Sequence, residues 1–147
     1  MTDGDPNAYI DRKEDAFLDD LRSLLAQPSI SATGEGIDSC VTQVRRLCLE
    51  YGFDEAEIVD TPGNPAVIAH AFADESDVVG STAVPYGHYD AQPATDSDCQ
   101  SPPLAPTVRD GPDVEPPLYA PRSGDNTGPS VAPLCLIRSL RGTPGTP

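Results

Sequence analysis

The spacing of apolar residues predicts two helices in the first third of the chain. Between residues 8 and 26, apolar side chains recur mostly three or four positions apart, with Asp and Glu between them: Ile10, Phe17, Leu18, Leu21, Leu24 and Leu25. This spacing forms one apolar stripe on an amphipathic helix, which we expect to end before Pro28. A second stripe runs from Ile37 to Tyr51, and Gly52 can end that helix in the left-handed conformation.

Short apolar runs predict strands after these helices. The runs are AEIV at 56–59, AVIAHAF at 66–72 and VVGSTAVPY at 78–86, and they are separated by Pro and Gly turns. Two helices on one side need a surface to cover, so we expect them to lie on a mixed sheet. The order of elements favours the α/β class, with α+β as the alternative.

The second half of the chain has a different composition. Most of the 17 prolines lie between residues 93 and 147, which predicts a loop-rich region. Leu134, Ile137 and Leu140 have helical spacing. Because Pro133 cannot sit inside a helix without disrupting it, we expect this helix to begin at about that residue.

The charge balance limits the classes of partner. The 147 residues suffice for one domain, and 24 acidic against 9 basic residues give a net charge of −15. This charge repels phosphate backbones and anionic lipids, so we expect neither nucleic acid nor a membrane as a partner. Two explanations of this acidity are open. One is adaptation of a halophile to a salty cytoplasm, and the other is that this is an ordinary acidic protein encoded by a GC-rich genome.

The sequence also predicts the compartment. The acidic start lacks the apolar segment of a signal peptide, and no window approaches about 20 apolar residues, so we expect a cytoplasmic protein. The four cysteines form no Cys-x-x-Cys pair. Cys40 and Cys48 lie eight residues apart in the second helix, about 12 Å along its axis. A disulfide tolerates at most about 7 Å between Cα atoms, so we expect reduced thiols.

The stretch VPYGHYDAQPA carries candidate chemistry. His88 follows the third predicted strand, and side chains at the carboxyl ends of strands line the sites of open α/β sheets. Neutral imidazole is a common zinc ligand, and Asp90 can accept the other ring N–H. Taken alone, however, the pair is better explained as a surface histidine beside a turn aspartate. An Asx-turn likewise explains Asp125 in SGDNTG.

Three stretches together give a more specific signal. PYGHYDAQPA, SPPLAPTVRDG and LYAPRSGDNTG resemble, in order and spacing, the metal-site region of the di-zinc aminoacylase, carnosinase and dipeptidase family of metallopeptidases. Acetylornithine deacetylase and succinyl-diaminopimelate desuccinylase belong to that family. The upstream stretch FLDDLRSLLAQPSISATGEGI resembles its opening helix and first loop. The form GHYD-x-QP resembles the dipeptidase and carnosinase branch.

The resemblance implies a role for each matching residue. His88 would be a ligand of one zinc, Asp90 the acid of the catalytic site that orients it, and Asp125 the carboxylate that bridges two zinc ions. It also implies a cis peptide between Asp125 and Asn126. Mn²⁺ or Co²⁺ could substitute for Zn²⁺, and the implied reaction is hydrolysis of a small peptide or N-acyl amino acid by a zinc-activated water. His70 matches no ligand and is predicted to be a sheet residue.

The sequence departs from the family pattern in several places. It contains no Glu-Glu pair, where the family has its general base, and Thr127 stands where the family has lysine. We therefore expect the truncated N-terminal portion of a zinc-peptidase-like catalytic domain, without the lid and dimerisation domain and inactive alone. Residues 8–90 would be its best-formed part, and residues 91–147 a loop-rich part with metal-site remnants. The alternative is a non-catalytic product, either of a decayed gene or as a small acidic binding module.

Overall fold

The computed structural model describes residues 5–73, 82–95, 97, 99, 102–109 and 117–143, and all structural statements below concern these residues. It confirms the α/β class. In chain order the elements are α1 (Pro6–Ala26), α2 (Ile37–Glu50), β1 (Glu55–Val59), β2 (Ala66–His70), β3 (Thr107–Val108), β4 (Leu118–Tyr119) and α3 (Thr127–Arg141).

Both N-terminal helices form where the apolar spacing predicts them. Helix α1 begins two residues earlier than expected, because the Asp5 carboxylate accepts a hydrogen bond from the backbone N–H of Asn7 (3.0 Å) and Pro6 occupies the first position. The helix gives way to extended backbone at Gln27, before Pro28. Helix α2 ends at Glu50, and Gly52 has φ +95°, the left-handed conformation expected there.

The core lies between the three helices. Helix α3 packs mainly against α1, whereas α2 covers β1 and β2. The buried members of the core are Phe17, Leu24, Cys40, Leu47, Tyr51 and Val131. The rings of Phe17 and Tyr51 lie 5.6 Å apart, and the Tyr51 hydroxyl donates a hydrogen bond to the Asp20 carboxylate (2.9 Å). The core is therefore helical, and the Tyr51 hydroxyl inside it has a hydrogen-bond partner.

Strands β1 and β2 confirm the first two predicted strands and form an antiparallel hairpin in which Glu55 pairs with His70. Strands β3 and β4 form a second antiparallel pair. The mixed sheet is therefore wrong for the described residues, where the parallel contact is an isolated bridge between Ile30 and Ala91.

The third predicted strand, 78–86, does not form where the structure describes it. Residues 78–81 lie outside the described part, and residues 82–86 are irregular. Val84 and Tyr86 are 83% and 86% exposed, so these two side chains do not pack against another layer. Pro85 also lacks the N–H that an interior strand donates to its neighbour.

Helix α3 begins six residues before the expected position, and Pro133 lies inside it. A local hydrogen bond and burial explain the additional turns. The backbone N–H of Ser130 donates to the Asn126 carbonyl (2.9 Å), and Val131, which precedes the proline, is 5% exposed. Burial of this turn offsets the poor helix propensity of proline, which is a cost of about 3 kcal/mol.

Two other predictions can be compared with the described residues. No helix in them is long and apolar enough to cross a membrane. All four cysteines are free thiols, and Cys40 and Cys48 are buried. The proposed division of the chain near residue 90 stays a prediction.

Candidate metal site

The segment that carries His88 is held by the loop after α1. The backbone N–H of Ala91 donates to the Ser29 carbonyl (2.8 Å), and the N–H of Ser31 donates to the Ala91 carbonyl (3.2 Å). The Ser29 hydroxyl, which is fully buried, donates to the carbonyl of Tyr89 (2.8 Å). These bonds replace the ladder of a neighbouring strand and fix the backbone on the C-terminal side of His88.

Gly87 lets the same segment approach the start of α3. A Cβ atom at this position would overlap the Ser130 hydroxyl and lie 3.0 Å from the Asn126 side-chain oxygen. That oxygen accepts hydrogen bonds from the His88 backbone N–H (3.3 Å) and from the Ser130 hydroxyl (2.5 Å). Glycine is therefore required because backbone and helix meet here in close contact.

Asp125 lies in the turn before α3. The peptide bond between Asp125 and Asn126 is cis, which confirms the expectation from the resemblance. The carbonyl of Arg122 accepts the N–H of Thr127 (3.0 Å), and this bond closes the turn. Asp125 therefore lies at the tip of a short loop whose two ends are tied together.

The structure brings all three predicted site residues together. The Nδ1 atom of His88 lies 3.0 Å from an oxygen of Asp90, and its Nε2 atom lies 3.3 Å from an oxygen of Asp125. The side chains of His88 and Asp90 are 38% and 36% exposed, and that of Asp125 is 92% exposed. One imidazole thus lies between two carboxylates at a solvent-accessible edge.

The hydrogen bonding of the imidazole decides what this arrangement can bind. When Asp90 accepts the Nδ1 proton, Nε2 presents a lone pair to the Asp125 carboxylate, so two acceptors face each other. A cation between them, either a proton or a metal ion, removes this repulsion. Desolvation alone lowers the pKa of His88, but its hydrogen bond to Asp125 and the charge of Asp90 outweigh that effect and raise the pKa above 6.5.

The geometry fits a metal as well as a proton. Zinc bonds to nitrogen and oxygen are about 2.0–2.2 Å long, which puts two ligand atoms of a tetrahedral site about 3.4 Å apart. The separation between the His88 and Asp125 ligand atoms is 3.3 Å. Within the described residues, no group of three or more His, Cys, Asp or Glu residues could hold a metal ion. The 3.3 Å separation therefore suits His88 and Asp125 as two ligands of a metal, without a third ligand from the described part of the chain.

The remaining predicted residue behaves differently. His70 ends β2, as the prediction of a sheet residue requires, and its ring stacks on Phe72 with 6.0 Å between centroids. It shares no interaction with the site.

Sequence reasoning missed three residues around the site. The Asn126 side chain and the Ser130 hydroxyl position His88, and the Arg122 guanidinium donates to the carbonyl of Tyr89 (2.8 Å). No short motif marks the contact of Asn126 with His88 or that of Arg122 with Tyr89, since these partners lie more than 30 residues apart in the chain.

A cavity of about 500 Å³ lies behind the site. Its walls include His88 and Asp90, the helical residues Leu47 and Val131, and Thr127 at the start of α3. The buried hydroxyl of Thr127 has no hydrogen-bond partner among the described residues. The site therefore borders a partly apolar space.

Comparison with solved structures gives several similar chains, including the following two. The M20 family metallo-carboxypeptidase Sso-CP2 from Sulfolobus solfataricus is 31% identical, with a TM-score of 0.70, and the match covers 85% of this chain and 27% of that one. The dipeptidase Dug1p from Saccharomyces cerevisiae is 20% identical, with a TM-score of 0.75, and the match covers 90% of this chain and 29% of that one. This chain has an M20 metallopeptidase-like fold.

The M20-like fold corresponds to part of each of these proteins, since the chain spans less than a third of their lengths. No protein-family model and no curated protein sequence matches the chain. Of these two structures, one is a metallo-carboxypeptidase, which is a metallopeptidase like the enzymes that the sequence motifs resemble, and the other is a dipeptidase. The motif resemblance is therefore confirmed at the level of an M20-like fold, while the branch within the family and the halophilic origin stay predictions.

Proposed function

We propose that this chain carries part of the metal site of an M20-type hydrolase. His88 and Asp125 bind a divalent metal, and Asp90 orients the imidazole. The observation that carries this proposal is the pair of facing acceptors, Nε2 of His88 and an oxygen of Asp125, at 3.3 Å. Asp90 supports the role because a carboxylate on the second ring nitrogen is the common partner of metal-binding histidines.

Zinc is the metal that this donor set favours. Imidazole nitrogen with carboxylate oxygen suits Zn²⁺, whereas Mg²⁺ and Ca²⁺ prefer sites built from oxygen alone. The resemblance adds a second zinc bridged by Asp125, and the 92% exposure of this side chain leaves its carboxylate accessible to another cation. Mn²⁺ and Co²⁺ are the expected substitutes.

The proposed reaction is hydrolysis of an amide or peptide bond in a small peptide or N-acyl amino acid. Bound zinc supplies a polarised carbonyl and a water of lowered pKa. In this chain, Asp90 holds the imidazole. The His88 N–H donates to the Asn126 side chain, and the Ser29 hydroxyl donates to the Tyr89 carbonyl, so the backbone is held on either side of the imidazole. The resemblance implies a glutamate base in a Glu-Glu pair, and the sequence contains no such pair.

The two candidate ligands and the missing Glu-Glu pair lead to a specific expectation for the chain alone. We expect weak zinc binding and no measurable dipeptide hydrolysis, because a catalytic zinc takes about three protein ligands and a positioned base contributes roughly 10²–10⁴ in rate. The alternative of a small acidic binding module is less well supported, since both similar structures are peptidases.

The two histidines allow a matched test. Zinc binding is measured by calorimetry on the wild type, on His88→Ala and on the control His70→Ala. We expect His88→Ala to abolish binding and His70→Ala to preserve it. Equal binding by all three proteins would refute the metal site. Dipeptide cleavage with added Zn²⁺, Mn²⁺ or Co²⁺ that disappears in His88→Ala would show that the chain completes a site which we expect to be partial.

A further inference from the structure

Arg122 makes an unusual set of hydrogen bonds. Its guanidinium donates to five acceptors, which are the backbone carbonyls of Leu24 (3.2 Å), Leu25 (3.1 Å), Gln27 (2.9 Å) and Tyr89 (2.8 Å) and the hydroxyl of Ser29. These acceptors lie on α1, on the loop after it and on the segment of His88. One side chain therefore joins segments that are about 60 residues apart in the chain.

The acceptors at the end of α1 explain why an arginine side chain is favourable at this place. The last carbonyls of a helix have no partner within the helix, and a positive charge is favourable at that end. The Nη2 atom of Arg122 lies there, while Nη1 reaches Ser29 and Tyr89. This division requires a planar fork with several donors, which the single ammonium group of lysine lacks.

The other two acceptors, Ser29 and Tyr89, connect Arg122 to the candidate metal site. Tyr89 lies between His88 and Asp90, and its carbonyl accepts bonds from the guanidinium and from the Ser29 hydroxyl. The carbonyl of Arg122 accepts the N–H of Thr127 (3.0 Å), which closes the turn that carries Asp125. The side chain of Arg122 thus fixes the segment of one candidate ligand, and its backbone fixes the loop of the other.

The backbone conformation of Arg122 is an independent observation. Its φ is +70°, in the left-handed region that side chains other than glycine rarely occupy. A residue stays in this region only where the surrounding contacts hold it, and such positions cluster at functional sites. The five hydrogen bonds supply that constraint.

We propose that Arg122 is the positioning residue of the metal site. It sets the separation between His88 and Asp125 by tying both segments to the end of α1. This inference rests on the proposed function, since it assumes that these two residues are ligands. It goes further by naming the group that gives them their spacing before any metal arrives.

The test compares two arginines. Arg122→Gly removes the guanidinium and relieves the positive φ, and Arg122→Lys keeps the charge without the fork. The control is Arg141→Gln, because Arg141 also joins distant segments, donating to Asp54 (2.6 Å) and to the Phe72 carbonyl (2.7 Å). Circular dichroism identifies conditions in which each variant is folded, and Arg122→Lys decides the outcome if Arg122→Gly does not fold.

The first measurement needs no metal. The ring ¹⁵N signals of the two histidines are recorded in the metal-free proteins. We expect both Arg122 variants to shift the His88 signals and leave those of His70 in place. Arg141→Gln should affect His70, which stacks on Phe72, and leave His88 unchanged. Unchanged His88 signals in a folded Arg122 variant, or equal shifts of both histidines, would overturn the proposal.

The second measurement is zinc affinity by calorimetry. We expect the Arg122 variants to bind Zn²⁺ at least about 10-fold more weakly than the wild type, and Arg141→Gln to bind it equally well. Equal affinity in the Arg122 variants would also overturn the proposal. If the wild type binds no zinc, the proposed function fails, while the ring signals still decide whether Arg122 positions His88.

Discussion

Helices α1, α2 and α3 form the helical layer of the molecule. This layer and the segments that carry the candidate metal site are stabilised in different ways. Leu25 and Leu47, on α1 and α2, are 0% and 2% exposed, whereas Val84, four residues before His88, is 83% exposed. The site segments are fixed mainly by hydrogen bonds onto the loop after α1 and onto α3. The candidate metal site is thus positioned by helix ends and loops, after a segment for which the sequence predicts a strand.

The largest expected effect concerns the helical layer. We expect Leu47→Ala to lower the free energy of unfolding by about 2–5 kcal/mol, because it leaves a cavity in the core. Leu49→Ala, on the same helix but 39% exposed, is the control and should cost less than about 1 kcal/mol. Urea unfolding measures both. Similar losses would contradict the assignment of the core to this face of α2.

A smaller effect is expected where the two regions meet. Gly87→Ala should lower the free energy of unfolding by about 1–3 kcal/mol and weaken zinc binding, because the new methyl overlaps Ser130. Gly124→Ala is the matched control, since a Cβ there meets no atom within 4 Å. Urea unfolding and calorimetry check the pair. An unaffected Gly87→Ala would show that α3 does not lie against the His88 segment.

The buried tyrosine of the helical layer predicts a pH dependence. Burial, together with the hydrogen bond and charge of Asp20, raises the pKa of Tyr51 above its ordinary value of 10. The folded state therefore favours the neutral phenol, so its contribution is complete below pH 10 and is lost as the pH rises above 10. We expect Tyr51→Phe to cost about 1–2 kcal/mol at neutral pH.

The check is urea unfolding of the wild type and Tyr51→Phe between neutral pH and pH values above 10. The stability difference should shrink at the alkaline end. Tyr86→Phe, at a side chain that is 86% exposed, is the control and should show no such difference. A constant gap between wild type and Tyr51→Phe would contradict the role of the buried hydroxyl.

The smallest effect involves the whole surface. A net charge of −15 repels itself, and the Debye length falls from about 10 Å at 0.1 M salt to about 3 Å at 1 M. We expect the melting temperature to rise by a few degrees as KCl increases over this range. A flat or falling melting temperature would remove the argument for adaptation to salt.

Local patterns sufficed for much of the helical layer. The spacing around Phe17 and Leu24 predicts α1, and the turn-flanked run at Ala66–His70 predicts β2. The sequence predicts the start of α3 six residues too late, because local propensity includes the cost of Pro133 but not the burial of Val131. The run at 78–86 has strand composition, but a strand also needs a partner, which sequence spacing does not reveal.

The candidate site required more than local patterns. His88 and Asp90 are neighbours in sequence, but Asp125 lies 37 residues beyond His88, and only the family resemblance linked them. The positions of Asn126 and Arg122 depend on contacts between distant segments. Such contacts follow from the folded arrangement, so they could not be predicted from residue types alone.

The most direct test of the metal site is X-ray absorption at the zinc edge on the zinc-loaded protein. We predict nitrogen and oxygen ligands at about 2.0–2.2 Å, with imidazole scattering that disappears in His88→Ala and persists in His70→Ala. Sulfur scattering at about 2.3 Å would instead indicate cysteine ligands. That result, or imidazole scattering that depends on His70, would contradict the assignment of His88 and Asp125 as the metal ligands.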